Sequence, residues 1–138
     1  MKTTATLALL VGSAALAPQA AANPYSGMDA ARVQFFSSPS GNIQCEIDFQ
    51  RDPRTPDGAH CMSANPLQNA QIRADGSLAS VCTDRVSCGS NGPQDQGVLA
   101  YGASAVLGPF TCLSEESGMT CTANGRGFKI STAGIVPV

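Results

Sequence analysis

The sequence predicts an all-β fold, a small disulfide-stapled sandwich or meander of short antiparallel strands. Three observations lead there. Ile43, Cys45 and Ile47 alternate with Asn42, Gln44, Glu46 and Asp48, the period-two pattern of a strand buried on one face. Gly, Pro, Asn and Ser punctuate the chain at short intervals, and beyond residue 22 no window of helical length keeps apolar residues on a 3.6-residue period. Six cysteines, an even number, accompany only five Phe, two Tyr and no Trp. Covalent cross-links therefore supplement a core short of large side chains.

The elements follow in order. Residues 33–36 form a strand, and Ser37-Ser38-Pro39-Ser40-Gly41 turns the chain into the alternating segment. Residues 51–58, with Pro53, Pro56 and Gly58, are a polar loop. Short strands are expected at 59–63, 70–74 and 77–82, with Asp75-Gly76 as a hairpin turn between the last two. A second loop at 89–97 precedes a strand at 98–101. The last quarter gives strands at 105–107, 110–113, 119–123 and 128–131, each bounded by Gly, Asn or Ser. Two segments resemble one another, Gly41-Asn42-Ile43-Gln44-Cys45 and Ser117-Gly118-Met119-Thr120-Cys121. Any turn leading into a disulfide-bearing strand has this form, and that explanation is preferred to an internal duplication.

Residues 1–22 carry Lys2, an apolar run and a small-residue exit at Ala20-Ala21-Ala22, the pattern of a secretory signal peptide cut after Ala22. The apolar run is too short for a permanent span, so no stable membrane anchor is expected. Residues 23–32 are then a flexible lead-in and 33–138 a single secreted domain. Export and an even cysteine count imply disulfides. Spacing favours sequential pairing: Cys45–Cys61 closing the proline-rich loop, Cys82–Cys88 a tight loop, and Cys112–Cys121 a hairpin. Mixed pairings between the outer cysteines stay open, since spacing cannot select one connectivity. The closest pair, Cys82 and Cys88, lies outside zinc-ligand spacing and the chain has one His, so neither a metal nor another cofactor is expected.

Charge narrows the partners. The net charge is −2, and loss of Lys2 with the leader takes it to about −3. The arginines are scattered among ten carboxylates, which argues against nucleic acid and anionic membranes as partners.

Catalytic signatures are equally thin. A hydrolase needs a base beside its nucleophile, and the only base is His60, on a strand and directed away from Cys61. Ser40 lacks the glycine two positions earlier that a nucleophile elbow requires. Asp48, Asp52 and Asp57 miss the calcium-loop spacing, and Glu115-Glu116 fits a solvated hairpin tip. No catalytic residue is therefore assigned. Binding function is expected on loops, with Arg51, Arg54, Asp57 and Arg85 as the candidate contact residues.

The segments Ser38-Pro39-Ser40-Gly41-Asn42-Ile43-Gln44-Cys45, Leu99-Ala100-Tyr101-Gly102, Gly108-Pro109-Phe110-Thr111-Cys112-Leu113-Ser114, Ser117-Gly118-Met119-Thr120-Cys121 and Gly125-Arg126-Gly127-Phe128-Lys129-Ile130-Ser131 together resemble a family of small exported actinobacterial proteins of unknown function, its mycobacterial branch most of all. The likeness spans residues 33–131. Arg126 stands where relatives carry His in Gly-His-Gly-Phe. The resemblance implies a secreted disulfide-containing domain and transfers no activity. The expectation is a secreted, monomeric, non-enzymatic module that binds an extracellular or envelope protein or glycan. The alternatives are a small hydrolase using His60 and a protease inhibitor presenting Arg85.

Overall fold

The structure is a computed structural model that describes residues 31–84, 86–89 and 97–138. The expected leader, all but two residues of the expected lead-in, Arg85 and most of the 89–97 loop lie outside the described residues. The fold is all-β, with two sheets and three disulfides.

The first sheet contains β1 (Val33–Ser37), β2 (Ile43–Asp48), β3 (Gly58–Ser63), β4 (Gln68–Ile72) and β5 (Leu78–Cys82) as an antiparallel meander. The two-residue strand β6 (Gly97–Val98) joins it alongside β1, running parallel. The second sheet is another five-strand antiparallel meander: β7 (Ser104–Leu107), β8 (Phe110–Glu115), β9 (Gly118–Ala123), β10 (Arg126–Ser131) and β11 (Gly134–Pro137). Alternation decides which side of each strand is buried. Ile43, Cys45 and Ile47 of β2 face inward and Gln44, Glu46 and Asp48 outward, as the sequence pattern requires. The inward residues of both sheets meet in one core that includes Phe36, Ile72, Phe110, Met119, Phe128 and Ile130.

The two meanders repeat one register. Cys45 lies directly across from Cys61 on β2 and β3, and Cys112 directly across from Cys121 on β8 and β9. Both pairs are disulfide-bonded with Cα–Cα 4.1 Å. The row Ile47, Ala59, Ile72 of the first sheet corresponds to Ser114, Met119, Ile130 of the second. One sheet places its large side chain on the second strand, the other on the third, and the row keeps a similar volume. The sequence likeness between Ile43-Gln44-Cys45 and Met119-Thr120-Cys121 therefore joined strands that do not correspond. The counterpart of Ile43-Gln44-Cys45 is Phe110-Thr111-Cys112, and that of Met119-Thr120-Cys121 is Ala59-His60-Cys61. The repeat is one of whole meanders rather than of a single turn and strand.

Several boundaries differ from the sequence expectation. The strand expected at 98–101 ends at Val98, because Leu99 N–H bonds the Ser37 carbonyl and Ala103 N–H then closes a turn onto Ala100. β4 stops at Ile72 where Arg73 N–H turns to the Ser77 carbonyl. Gly76 at the tip of that turn has φ +82°, and an added Cβ would fall 2.1 Å from the Ala123 carbonyl. The turn touches the second sheet there, which only glycine permits. β11 carries little strand signal in the sequence, because Gly134 and Pro137 are poor strand residues; pairing to β10 from Phe128 to Ser131 holds it in place.

Ser114 is fully buried on β8 and its Oγ has no hydrogen-bond partner. A buried hydroxyl left unpaired is destabilising by about 1–3 kcal/mol. Ser114→Ala is expected to raise stability by about 1 kcal/mol, read as a higher urea midpoint at unchanged m-value; a fall in midpoint would show that the hydroxyl has a partner in solution.

Candidate functional site

Of the expected contact residues, Arg51, Arg54 and Asp57 share the loop between β2 and β3. Arg51 turns back onto its own sheet, where Nη1 donates to Glu46 Oε1 at 3.1 Å and Asp48 Oδ1 at 2.9 Å. Asp57 Oδ1 accepts the Gln50 N–H at 2.8 Å and closes the loop from within. Asp52 caps its own turn, accepting from the Arg54 and Thr55 N–H groups and the Thr55 hydroxyl, which holds its carboxyl below the ordinary value. Arg54 is exposed at the loop tip, and Arg85 lies outside the described residues. Asp48, Asp52 and Asp57 are thus engaged by separate partners rather than aimed at a common point.

His60 sits in β3, directly opposite Glu46 of β2 and Gln71 of β4. Ser40 is in the β1–β2 turn, where its Oγ lies 3.0 Å from Ser38 Oγ and accepts the Asn42 N–H at 3.3 Å. The fold places these two residues on different parts of the sheet. The groups of possible metal ligands among the described residues are Cys45, Cys61, Cys121 and Cys82, Asp84, Cys88, and every cysteine in them is in a disulfide. In the Cys82–Cys88 loop, Asp84 accepts from the Val86 and Ser87 N–H groups and the Ser87 hydroxyl. Those bonds hold its carboxyl down at about 2.

Two places gather polar groups. The first is the outer face of β2 and β3. Burial and the neighbouring Asp48 carboxylate push Glu46 from 4.5 up to about 7, although Arg51 opposes the shift. Burial lowers His60 below 6.5. The Arg51 bridge pins the 49–57 loop to this face.

The second is a cleft of about 70 Å3 at one end of the sandwich, lined by four turns. The β1–β2 turn brings Ser38, Ser40 and Asn42, and the β8–β9 turn brings Glu115, Glu116 and Ser117. The β10–β11 turn brings Ser131 and Thr132, and Tyr101 enters from the link between β6 and β7. Local chemistry fixes each wall. Ser38 is buried, and its Oγ accepts the Ile43 N–H at 3.2 Å. Asn42 clasps the turn after β3, donating to the Asn65 carbonyl at 3.0 Å and accepting the Asn65 N–H at 2.9 Å. Gly102 N–H and Ser114 N–H tie the Tyr101 segment to β8, and Lys129 Nζ donates to Ser117 Oγ at 2.7 Å.

Glu115 and Glu116 were expected only as a solvated tip, and Tyr101 and Ser117 carried no expected role. Their signal in the sequence was indirect. Ser-Pro-Ser-Gly-Asn, Leu-Ala-Tyr-Gly, Ser-Gly-Met-Thr-Cys and the Ser131 end of the Gly-Arg-Gly-Phe segment all contribute to this one cleft. Arg126 does not; its Nε donates to the Asp75 carbonyl at 3.0 Å, joining the two sheets at the Gly76 turn. No protein-family model, curated protein or solved structure matches this chain.

The outer-face cluster generates a pH dependence. Glu46 loses its proton near 4.5 in the unfolded chain and near 7 in the folded one, so its contribution to stability falls as pH rises between those values. His60 acts with the opposite sign, its contribution being lost as pH falls below 6.5. Glu46→Gln is expected to flatten the decline between pH 4.5 and 7 and leave the His60 slope. Urea midpoints across that range measure it, and an unaltered decline in the variant would assign the proton elsewhere.

Proposed function

We propose that this chain is a secreted binding module, non-enzymatic and acting as a monomer, that takes a hydroxyl-rich ligand of the envelope-glycan class in the four-turn cleft. The observation that carries it is the convergence of five hydroxyl residues, an amide, two carboxylates and Tyr101 on one cleft at the end of a cross-linked scaffold. Hydroxyl, amide and carboxylate groups donate to and accept from sugar hydroxyls, and the tyrosine ring, 42 % exposed, offers an apolar face with a polar tip. Turns already fixed by Asn42 and Ser38 lower the ordering cost of binding.

The three disulfides fit an oxidising compartment, and no helix among the described residues is long and apolar enough to cross a membrane. With the leader pattern of residues 1–22 and cleavage after Ala22, these features support export. Four of the five motifs that resemble an exported actinobacterial family send residues into the cleft, which supports membership of that family and a shared binding site within it.

Oxidised protein spanning residues 23–138 is expected to bind an envelope polysaccharide saturably, and reduced protein to lose that binding. Tyr101→Ala is expected to weaken it about tenfold, equivalent to roughly 1.4 kcal/mol, and Glu116→Gln to weaken it also. Calorimetric titration against fractionated envelope glycans is the measurement. Binding indifferent to both substitutions would remove the cleft from the proposal, and turnover abolished by His60→Ala would replace the module with the hydrolase.

A further inference from the structure

The two core disulfides touch. Cys61 Sγ lies 3.4 Å from Cys121 Sγ, although each is covalently bonded to a different partner on its own sheet. Neither sulfur carries a hydrogen, so this is van der Waals contact between two disulfides. The corresponding register of the two meanders produces it: Cys61 and Cys121 occupy the same place on the third strand of each sheet, both facing inward. Cys45 Sγ also lies within 4.8 Å of both. Cys61, Cys112 and Cys121 are fully buried and Cys45 is 3 % exposed. Thiol–disulfide exchange needs a thiolate that can reach a disulfide sulfur, and here a potential attacking atom already rests against its target.

We propose that these four cysteines form a single exchange-coupled redox centre whose co-reactant is a dithiol reductant. When the β2–β3 pair opens locally and admits it, the dithiol reduces Cys45–Cys61, supplying two electrons and two protons and leaving as its own disulfide. Cys45 and Cys61 become thiols. Cys61 then gives up its proton and attacks Cys121 Sγ. The Cys61–Cys121 bond forms, the Cys112–Cys121 bond breaks, and Cys112 leaves as a thiolate that takes up a proton. The second step consumes no electrons. The product carries one disulfide between the sheets in place of two within them, with free thiols on Cys45 and Cys112. The new bond joins residues 60 apart in sequence, against 16 and 9 for the bonds it replaces. In the chain-entropy account a longer closed loop restrains the unfolded chain more. One reducing event would thus convert intra-sheet staples into a brace between sheets. Cys82–Cys88 takes no part, since it lies at the edge strand β5 with its own short loop.

The test is full-length oxidised Cys45→Ser, which frees Cys61 without any reductant. It is held at mildly alkaline pH under native conditions, quenched by alkylation and mapped by peptide mass spectrometry. The expected result is label on Cys112, a Cys61–Cys121 cross-linked peptide, and Cys82–Cys88 intact. Label on Cys61 with Cys112–Cys121 retained would overturn the proposal. So would label spread onto Cys82 and Cys88, which marks random scrambling of unfolded chains. Cys112→Ser is the mirror test: Cys121 attacks Cys61 and label appears on Cys45. Should neither variant fold, wild-type protein treated with limiting dithiothreitol and mapped in the same way gives the deciding result, the inter-sheet peptide being expected and its absence overturning the proposal.

Discussion

Direct cross-strand pairing of cysteines on the inward face of each sheet is the constraint on which the rest of this structure depends. Where Cys45 faces Cys61 and Cys112 faces Cys121, register is fixed covalently, and a slip of one residue would turn every core side chain outward. The sheets then pack with their disulfides in contact, so sulfur occupies the centre where a larger domain would place aromatic and aliphatic side chains. A chain without Trp and with few large residues closes its core in this way. Phe110 and Phe128, both fully buried, fill space beside the sulfurs.

The repeated meander explains why the core tolerates unequal halves. Ile47 beside Ala59 and Ser114 beside Met119 fill equivalent rows with opposite size order, consistent with the tolerance of cores for redistributed volume at nearly constant total. Among the described residues the flaw is chemical, a hydroxyl where the other sheet carries an isoleucine.

Much of this was legible in the sequence because period-two burial leaves a direct imprint. β2 could be placed from Ile43, Cys45 and Ile47 alone, and the turn at Asp75-Gly76 from its dipeptide. The all-β class followed from the same signals. Strand ends were less legible, because they are set by single hydrogen bonds such as Leu99 to Ser37 and Arg73 to Ser77. β11 depends on a neighbouring strand rather than on its own residues. The cleft was the least legible feature. Its walls come from residues near 40, 101, 116 and 131, and no local pattern announces that four turns will meet. The partners of Arg51 were equally hidden from local pattern: two carboxylates on β2, Glu46 and Asp48, hold this loop residue against the outer face of the sheet.

The order of the disulfides also governs how the molecule would respond to a protease. Cys45–Cys61 and Cys82–Cys88 lie wholly in the first meander and its tail, and Cys112–Cys121 lies wholly in the second. A single peptide-bond cleavage between Cys88 and Cys112 would therefore leave two covalently separate fragments, each keeping its own staple. Only non-covalent contacts would hold them together, packing and bonds such as Arg126 to the Asp75 carbonyl, and a denaturant without any thiol would part them. An intact-looking particle could thus be two chains, distinguishable by non-reducing electrophoresis, unless exchange between Cys61 and Cys121 had already sewn the halves together.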